Sequence, residues 1–183
     1  DTNTTGESIA IEFSSACTED SVRLLGERAK EIGMPVQWEG STLYTKLPDI
    51  PDARAKIPVL LTTPGTLIIR ADGFEASNQN VADVAINLNN AGMPETLLQF
   101  DAPTRAAVKE LSDDVSLVPT LDGTELSPVL ASTVKEEGIF SLHSGEGKTA
   151  DRMQRAADRA IILAHGPLPC DVSVQQVQSN TAK

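Results

Sequence analysis

Along "SIAIEFSS" the apolar residues Ile9, Ile11 and Phe13 alternate with polar ones, the period of a strand with one buried face. The spacing then changes. In "TEDSVRLLGERAKEIG" Val22, Leu25, Ala29 and Ile32 recur every three or four positions, which predicts a helix with Thr18 as its N-cap and Gly33 in the left-handed position at its end. "MPVQWEGSTLYTKL" reads as a hairpin: Val36 and Trp38 precede a turn centred on Glu39 and Gly40, and Leu43, Thr45 and Leu47 follow in alternation. A short helix starts near Asp52, kinked or shortened by Pro58, and "TLIIRAD" closes the series as a strand. The order β-α-β-β-α-β predicts a ferredoxin-like lobe over 8–73, in which both helices cover one face of an antiparallel sheet.

A polar stretch, "DGFEASNQN", then reads as a linker to a second antiparallel α+β lobe over 74–178. "VADVAINLNN" and "ETLLQF" predict two strands joined around Asn90 to Pro94. "APTRAAVKELSDD" predicts a helix that packs Ala106, Ala107, Val108 and Leu111. Three strands follow, "VSLVPTLDG", "ELSPVLAST" and "GIFSLHS", separated by Asp122-Gly123 and by a charged turn from Lys135 to Gly138. Pro119 and Pro128 mark these strands as edges or bulged. The last helix, "TADRMQRAADRAIILAHG", places Met153, Ala156, Ala157, Ala160, Ile161 and Ala164 along one stripe. Its successor "CDVSVQQVQ" is a strand alternating Val172, Val174 and Val177. The ends, 1–7 and 179–183, are too hydrophilic to dock and are expected to fray.

The 183 residues suffice for one sizeable core or two smaller ones. A formal charge of −11 repels nucleic-acid backbones and anionic lipid, and one Trp, one Tyr and four Phe offer few stacking platforms for bases. No apolar run reaches the roughly 18 to 20 residues that span a bilayer, and "DTNTTGESIA" lacks the order of a signal peptide. Cys17 and Cys170 stand far apart without metal or redox spacing. They fit either two buried thiols or one disulfide in an oxidising compartment.

Three stretches carry a family resemblance: "RAKEIGMPVQWEGSTLYTKLPDIPDARAKI", "PTLDGTELSPVL" and "AIILAHGPLPCDVSV". In this order they resemble the first periplasmic domain of SecD, a membrane subunit that assists the Sec translocon in bacterial protein export. The matching turn residues are Gly33, Leu121, Asp122, Gly123, Ser127, Pro128, Gly166, Leu168 and Pro169. Asp49 stands where the family favours Gly, Pro58 interrupts the second helix, and "EEGIFSLHSGEGK" replaces a glycine-rich stretch. The family's membrane helices are not in this sequence. The resemblance implies a non-enzymatic periplasmic domain, without cofactor, whose second lobe contacts unfolded or translocating polypeptide, or other envelope or translocon proteins, over a base formed by the first. An envelope scaffold or oligomer subunit is the alternative, and a secreted hydrolase using His165 or Cys170 ranks behind both.

Candidate chemistry changes this picture little. "HSGEGKT" ends like a phosphate-binding loop, but Leu142 occupies the place of that pattern's first glycine, so Gly145 and Gly147 read as a turn before a helix. His165 lies five residues from Cys170, at a helix C-terminus where its charge suits the dipole; His143 ends a strand without the partners of a zinc triad. Asp113 with Asp114 and Glu136 with Glu137 read as solvated pairs, Asp101 as a helix cap and Asp122 as a turn residue. Asn3-Thr4-Thr5 fits a glycosylation acceptor. No catalytic, metal or cofactor set emerges. Cys17 follows the opening strand and Cys170 precedes the closing one, so the two are expected to pair and to tie the lobes together.

Overall fold

The computed structural model describes residues 6–180. The glycosylation candidate Asn3-Thr4-Thr5 lies outside them. Contacts divide the chain into unit 1, Asp1–Pro64 with Leu168–Lys183, and unit 2, Gly65–Pro167. Among the described residues, five α-helices and three antiparallel sheets make two α+β units.

Unit 1 contains β1 (Ser8–Ser15), α1 (Thr18–Glu31), β2 (Gln37–Glu39), β3 (Thr42–Lys46), α2 (Ala53–Thr62) and the last strand of the chain, β12 (Val172–Ser179). The β-α-β-β-α-β order holds, but its sixth element is β12 and not "TLIIRAD", and the sheet runs β12-β1-β3-β2. Alternation in β1 buries Ile9, Ile11 and Phe13 against Leu24, Leu25 and Ala29 of α1. A register shift between Glu12 and Phe13 lets Val174 and Val177, three apart, both pack on this core.

Local chemistry sets the element ends. The N-cap of α1 is Cys17 and not Thr18, whose hydroxyl donates back to the Ser15 carbonyl at 3.3 Å. Gly33 takes the expected left-handed conformation, φ 77°. α2 runs through Pro58 to Thr62. Its C-terminal carbonyls, which have no helical N–H partners, are met by the fully buried Arg28: Nη1 donates to the Leu61 and Thr63 carbonyls and Nη2 to that of Pro64. Gly6 is required sterically, since a Cβ there would stand 1.6 Å from the Leu47 carbonyl oxygen.

Unit 2 carries β4 (Leu67–Ala71), β5 (Phe74–Ser77), β6 (Val81–Leu88), β7 (Pro94–Phe100), α3 (Ala102–Lys109), β8 (Ser116–Leu121), β9 (Thr124–Glu125), β10 (Val129–Leu130), α4 (Ala131–Glu137), β11 (Ile139–His143) and α5 (Thr149–Ala164). One sheet runs β10-β8-β4-β5 with β9 also on β8; the other runs β11-β7-β6. They share a core that includes Leu67, Ile69, Leu98, Phe100 and Phe140, the two rings 5.9 Å apart between centroids.

Several expectations change. The expected linker at 74 instead forms β5, a hairpin partner of β4, and the chain passes between units at Pro64/Gly65 and Pro167/Leu168. "ELSPVLAST" breaks into β9, β10 and the start of α4, because the prolines interrupt pairing: β8 meets β9 and β10 on one side with a gap beside Val118 and Pro119. The charged turn from Lys135 is the last turn of α4, ended by Gly138. On α5 the buried residues are Ala156, Ile162 and Leu163, whereas Met153 and Ala164 are exposed, so the inward stripe is rotated from the one expected. Ser179 and Asn180 do not fray: Ser179 pairs with Ile9, and the Asn180 N–H donates to the Ser8 carbonyl.

Candidate polypeptide-docking surface

Among the described residues, four of the six large, exposed hydrophobic ones, Ile86, Leu88, Leu130 and Met153, belong to unit 2, which directs attention to the β11-β7-β6 sheet. Residues paired in register share a face. Thr96, Leu98, Phe140 and Leu142 are buried beneath α5, where the Thr96 hydroxyl donates to the Ala156 carbonyl at 3.0 Å. The opposite face presents the cross-strand rows Ala85–Leu97–Ser141 and Asn87–Glu95–His143. Over both rows lies a groove of about 730 Å³, lined by Leu97, Ser141, Glu95 and His143 of the sheet, with Leu88 at its β6 margin and Leu130 and Thr133 as a wall on the other side. The wall exists because β10 passes directly into α4, and Gly138 then turns the chain into β11.

The groove is acidic. It is lined by Glu95 and Glu137 and by no Lys or Arg. Glu95 is only 6% exposed, and its Oε1 accepts from Asn89 Nδ2 at 2.7 Å and from His143 Nδ1 at 2.9 Å. Asn89 is itself fixed, its Oδ1 accepting the N–H groups of Ala91 and Met93. Beside the groove, β6 is the outer strand of its sheet for eight residues, with Asp83 as its one charge. Such an edge leaves a row of main-chain donors and acceptors for another extended chain.

The residues singled out in the sequence fall as follows. Cys17 and Cys170 form the disulfide, with Cα atoms 6.2 Å apart, so Cys170 offers no thiol to His165. Both cysteines lie in unit 1; the bridge ties β1–α1 to the entry of β12 and does not join the two units, because the closing strand belongs to the same sheet as the opening one. His165 is the C-cap of α5. Asp101 caps α3, accepting from the Thr104 N–H at 2.8 Å, and hydrogen bonds from the Thr104 side chain and backbone hold its carboxyl below the usual value. Asp122, at φ 50°, accepts from the N–H groups of Gly65 and Thr66. Asp113 pairs with Lys135 at 2.8 Å.

"HSGEGKT" is indeed a strand–turn–helix junction, but arginines of α5 hold it from within. Arg155 donates to the Ser144 and Glu146 carbonyls, Arg152 to that of Gly147 and Arg159 to that of His143. Burial, and then the neighbouring Arg155, push the Arg159 guanidinium below its ordinary pKa. Among the described residues no group of three His, Cys, Asp or Glu side chains could hold a metal, and no helix is long and apolar enough to cross a membrane. The sequence reading missed Glu95, Asn89 and the α4 wall. Only the pairing of His143 with Glu95 in register reveals the first of these.

A ferredoxin-like unit interrupted by a second, groove-bearing α+β unit defines the class of domain. No protein-family profile and no curated protein matches this chain. Solved structures do. A crystal structure of SecDF in its super-membrane-facing form superposes with a TM-score of 0.71 at 14% identity, covering 93% of this chain and 30% of that one. A structure of SecDF described as a membrane component that enhances protein export gives 0.66 at 15% identity, covering 94% of this chain and 100% of that one. The fold is therefore SecD periplasmic-domain-like, and this chain spans about a third of the first, longer protein.

Proposed function

We propose that this chain serves protein export as a non-enzymatic, extracytoplasmic domain that holds unfolded or translocating polypeptide on unit 2, with unit 1 as its base. The observation that carries the reading is the unpaired edge of β6 beside the open groove, in a fold shared with SecDF structures. Strand addition suits an unfolded client: main-chain hydrogen bonds supply affinity without regard to sequence, and shallow pockets accept alternate side chains. The Cys17–Cys170 disulfide supports an oxidising compartment. Titration of the isotope-labelled protein with unfolded peptides tests the proposal by NMR. Amide shifts are expected along Ala82 to Leu88 and around Leu97 and Ser141. Spectra that stay silent at high peptide concentration count against it.

A further inference from the structure

The two sulfurs of the Cys17–Cys170 bridge stand in unlike surroundings. Among the described residues three donors converge on Cys170 Sγ: the Ser15 hydroxyl at 2.9 Å, the Cys17 N–H at 3.1 Å and the Ser21 hydroxyl at 3.7 Å. Cys17 Sγ is approached only by the Ser21 hydroxyl, at 4.0 Å. Ser21 is 1% exposed and its Oγ lies 2.9 Å from that of Ser15, so the two hydroxyls can run in series toward Cys170. A disulfide sulfur is a weak acceptor and does not need such company. A thiolate does. Hydrogen-bond donors and a helix N-terminus both favour charge on sulfur, and Cys17, whose N–H points at Cys170, is the N-cap of the 14-residue α1. The charges nearest in sequence, Glu19, Asp20 and Asp171, are negative but exposed, where solvent screens them.

We propose that this bridge is a thiol–disulfide exchange site, opened by a dithiol protein that attacks Cys17 and expels Cys170 as the thiolate. The sulfur whose thiolate is better stabilised is the better leaving group, which places the attack on its neighbour. Access agrees with this, since both cysteines are partly exposed and Ala16, Thr18 and Glu19 around Cys17 are exposed. In the first step the partner's thiolate forms a bond to Cys17 Sγ while the Cys17–Cys170 bond breaks and its electron pair leaves on Cys170. In the second, the partner's other thiol attacks its own sulfur in the mixed disulfide and releases Cys17. The chain gains two electrons and the partner, oxidised to a disulfide, loses two, its thiol protons passing to the cysteines released. The site lies wholly in unit 1 and is independent of polypeptide docking on unit 2.

The test uses the whole folded chain and a thioredoxin-class dithiol reductant, together with a variant of that reductant lacking its second cysteine, which traps the mixed disulfide. Mass analysis of proteolytic fragments is expected to find the trap on Cys17, roughly tenfold over Cys170. Equilibration with dithiothreitol at about pH 8, near the ordinary thiol range, gives the second readout. Ser15→Ala is expected to make the bridge roughly tenfold harder to reduce, the weight of one hydrogen bond to a charged group. Ser15→Thr keeps the hydroxyl and returns the parent value, which a role in packing alone does not predict. A trap on Cys170 or shared evenly between the sulfurs overturns the proposal, as does a Ser15→Ala value equal to the parent's. So does a bridge that the dithiol protein opens only in denaturant. The trapping needs no substitution in this chain, so it decides the matter even where a variant fails to fold.

Discussion

Unit 1 and unit 2 each end a sheet with an eight-residue outer strand, and they treat it differently. On β12 of unit 1, Arg54 Nη2 donates to the Val177 carbonyl at 3.1 Å and Nη1 to the Ser179 hydroxyl, while Glu7 accepts from both Arg54 and Ser179. On β6 of unit 2, among the described residues, the side chain bonded to the strand's main chain is local, Asn87 Oδ1 accepting from the Leu88 N–H. A guarded edge resists pairing with another chain, and an unguarded one invites it. The contrast extends to covalent closure, since the disulfide staples unit 1 alone. The outer strand of one unit is tied down by side chains, and that of the other is left open.

This comparison is sharpened most strongly by emptying one core at a time. Phe140→Ala removes a fully buried ring of unit 2 and is expected to cost about 4 kcal/mol. Trp38, the one tryptophan, packs in unit 1 against Phe13 with centroids 5.9 Å apart, so its emission reports that unit. Denaturant curves of the variant should show an early loss of circular dichroism while the Trp38 midpoint holds. If both signals move together, the two units unfold as one and the contrast between them fails.

Removing the staple probes the other side. Cys17→Ser with Cys170→Ser releases the loop constraint on unit 1 and is expected to cost about 3 kcal/mol there, read as a lower Trp38 midpoint. An unchanged midpoint would show that β12 pairing alone closes the unit. Smallest is the acid response of unit 2 through the α3 cap. The folded Asp101 carboxyl titrates below its ordinary value, so the stability it lends is complete above that value and is lost as pH falls through the lowered one. Asp101→Asn keeps an acceptor at the cap but cannot titrate. Its deficit relative to the parent should therefore be present near neutrality and shrink below about pH 4, measured as thermal midpoints of unit 2.

Where pattern and packing agree, the elements were legible from residue spacing. The alternation of Ile9, Ile11 and Phe13 and the three-and-four spacing through α1 each encode a buried face in a run of a dozen residues or fewer, and both elements formed where expected. Asp101 and Gly33 were readable for the same reason, because a cap and a left-handed residue satisfy neighbours a few positions away. The candidate site was far less legible. Glu95 became visible only when β7 and β11 placed it opposite His143, 48 residues apart in sequence but adjacent across the sheet.

By itself, then, the sequence determined which segments bury a face and several of the residues that start and stop them. Tertiary structure decided which strand completes which sheet. "TLIIRAD" and "CDVSVQQVQ" carry equivalent strand patterns, and the choice between them as partner of β1 rests on contacts more than a hundred residues apart. It also decided that the disulfide is internal to unit 1 and that Leu88, Leu130 and Glu95 share a groove. The physical reason is the range of the forces involved: periodicity and capping act over one or two turns, whereas strand partnership and groove assembly are set by burial and hydrogen bonding between segments whose sequences do not record their distance.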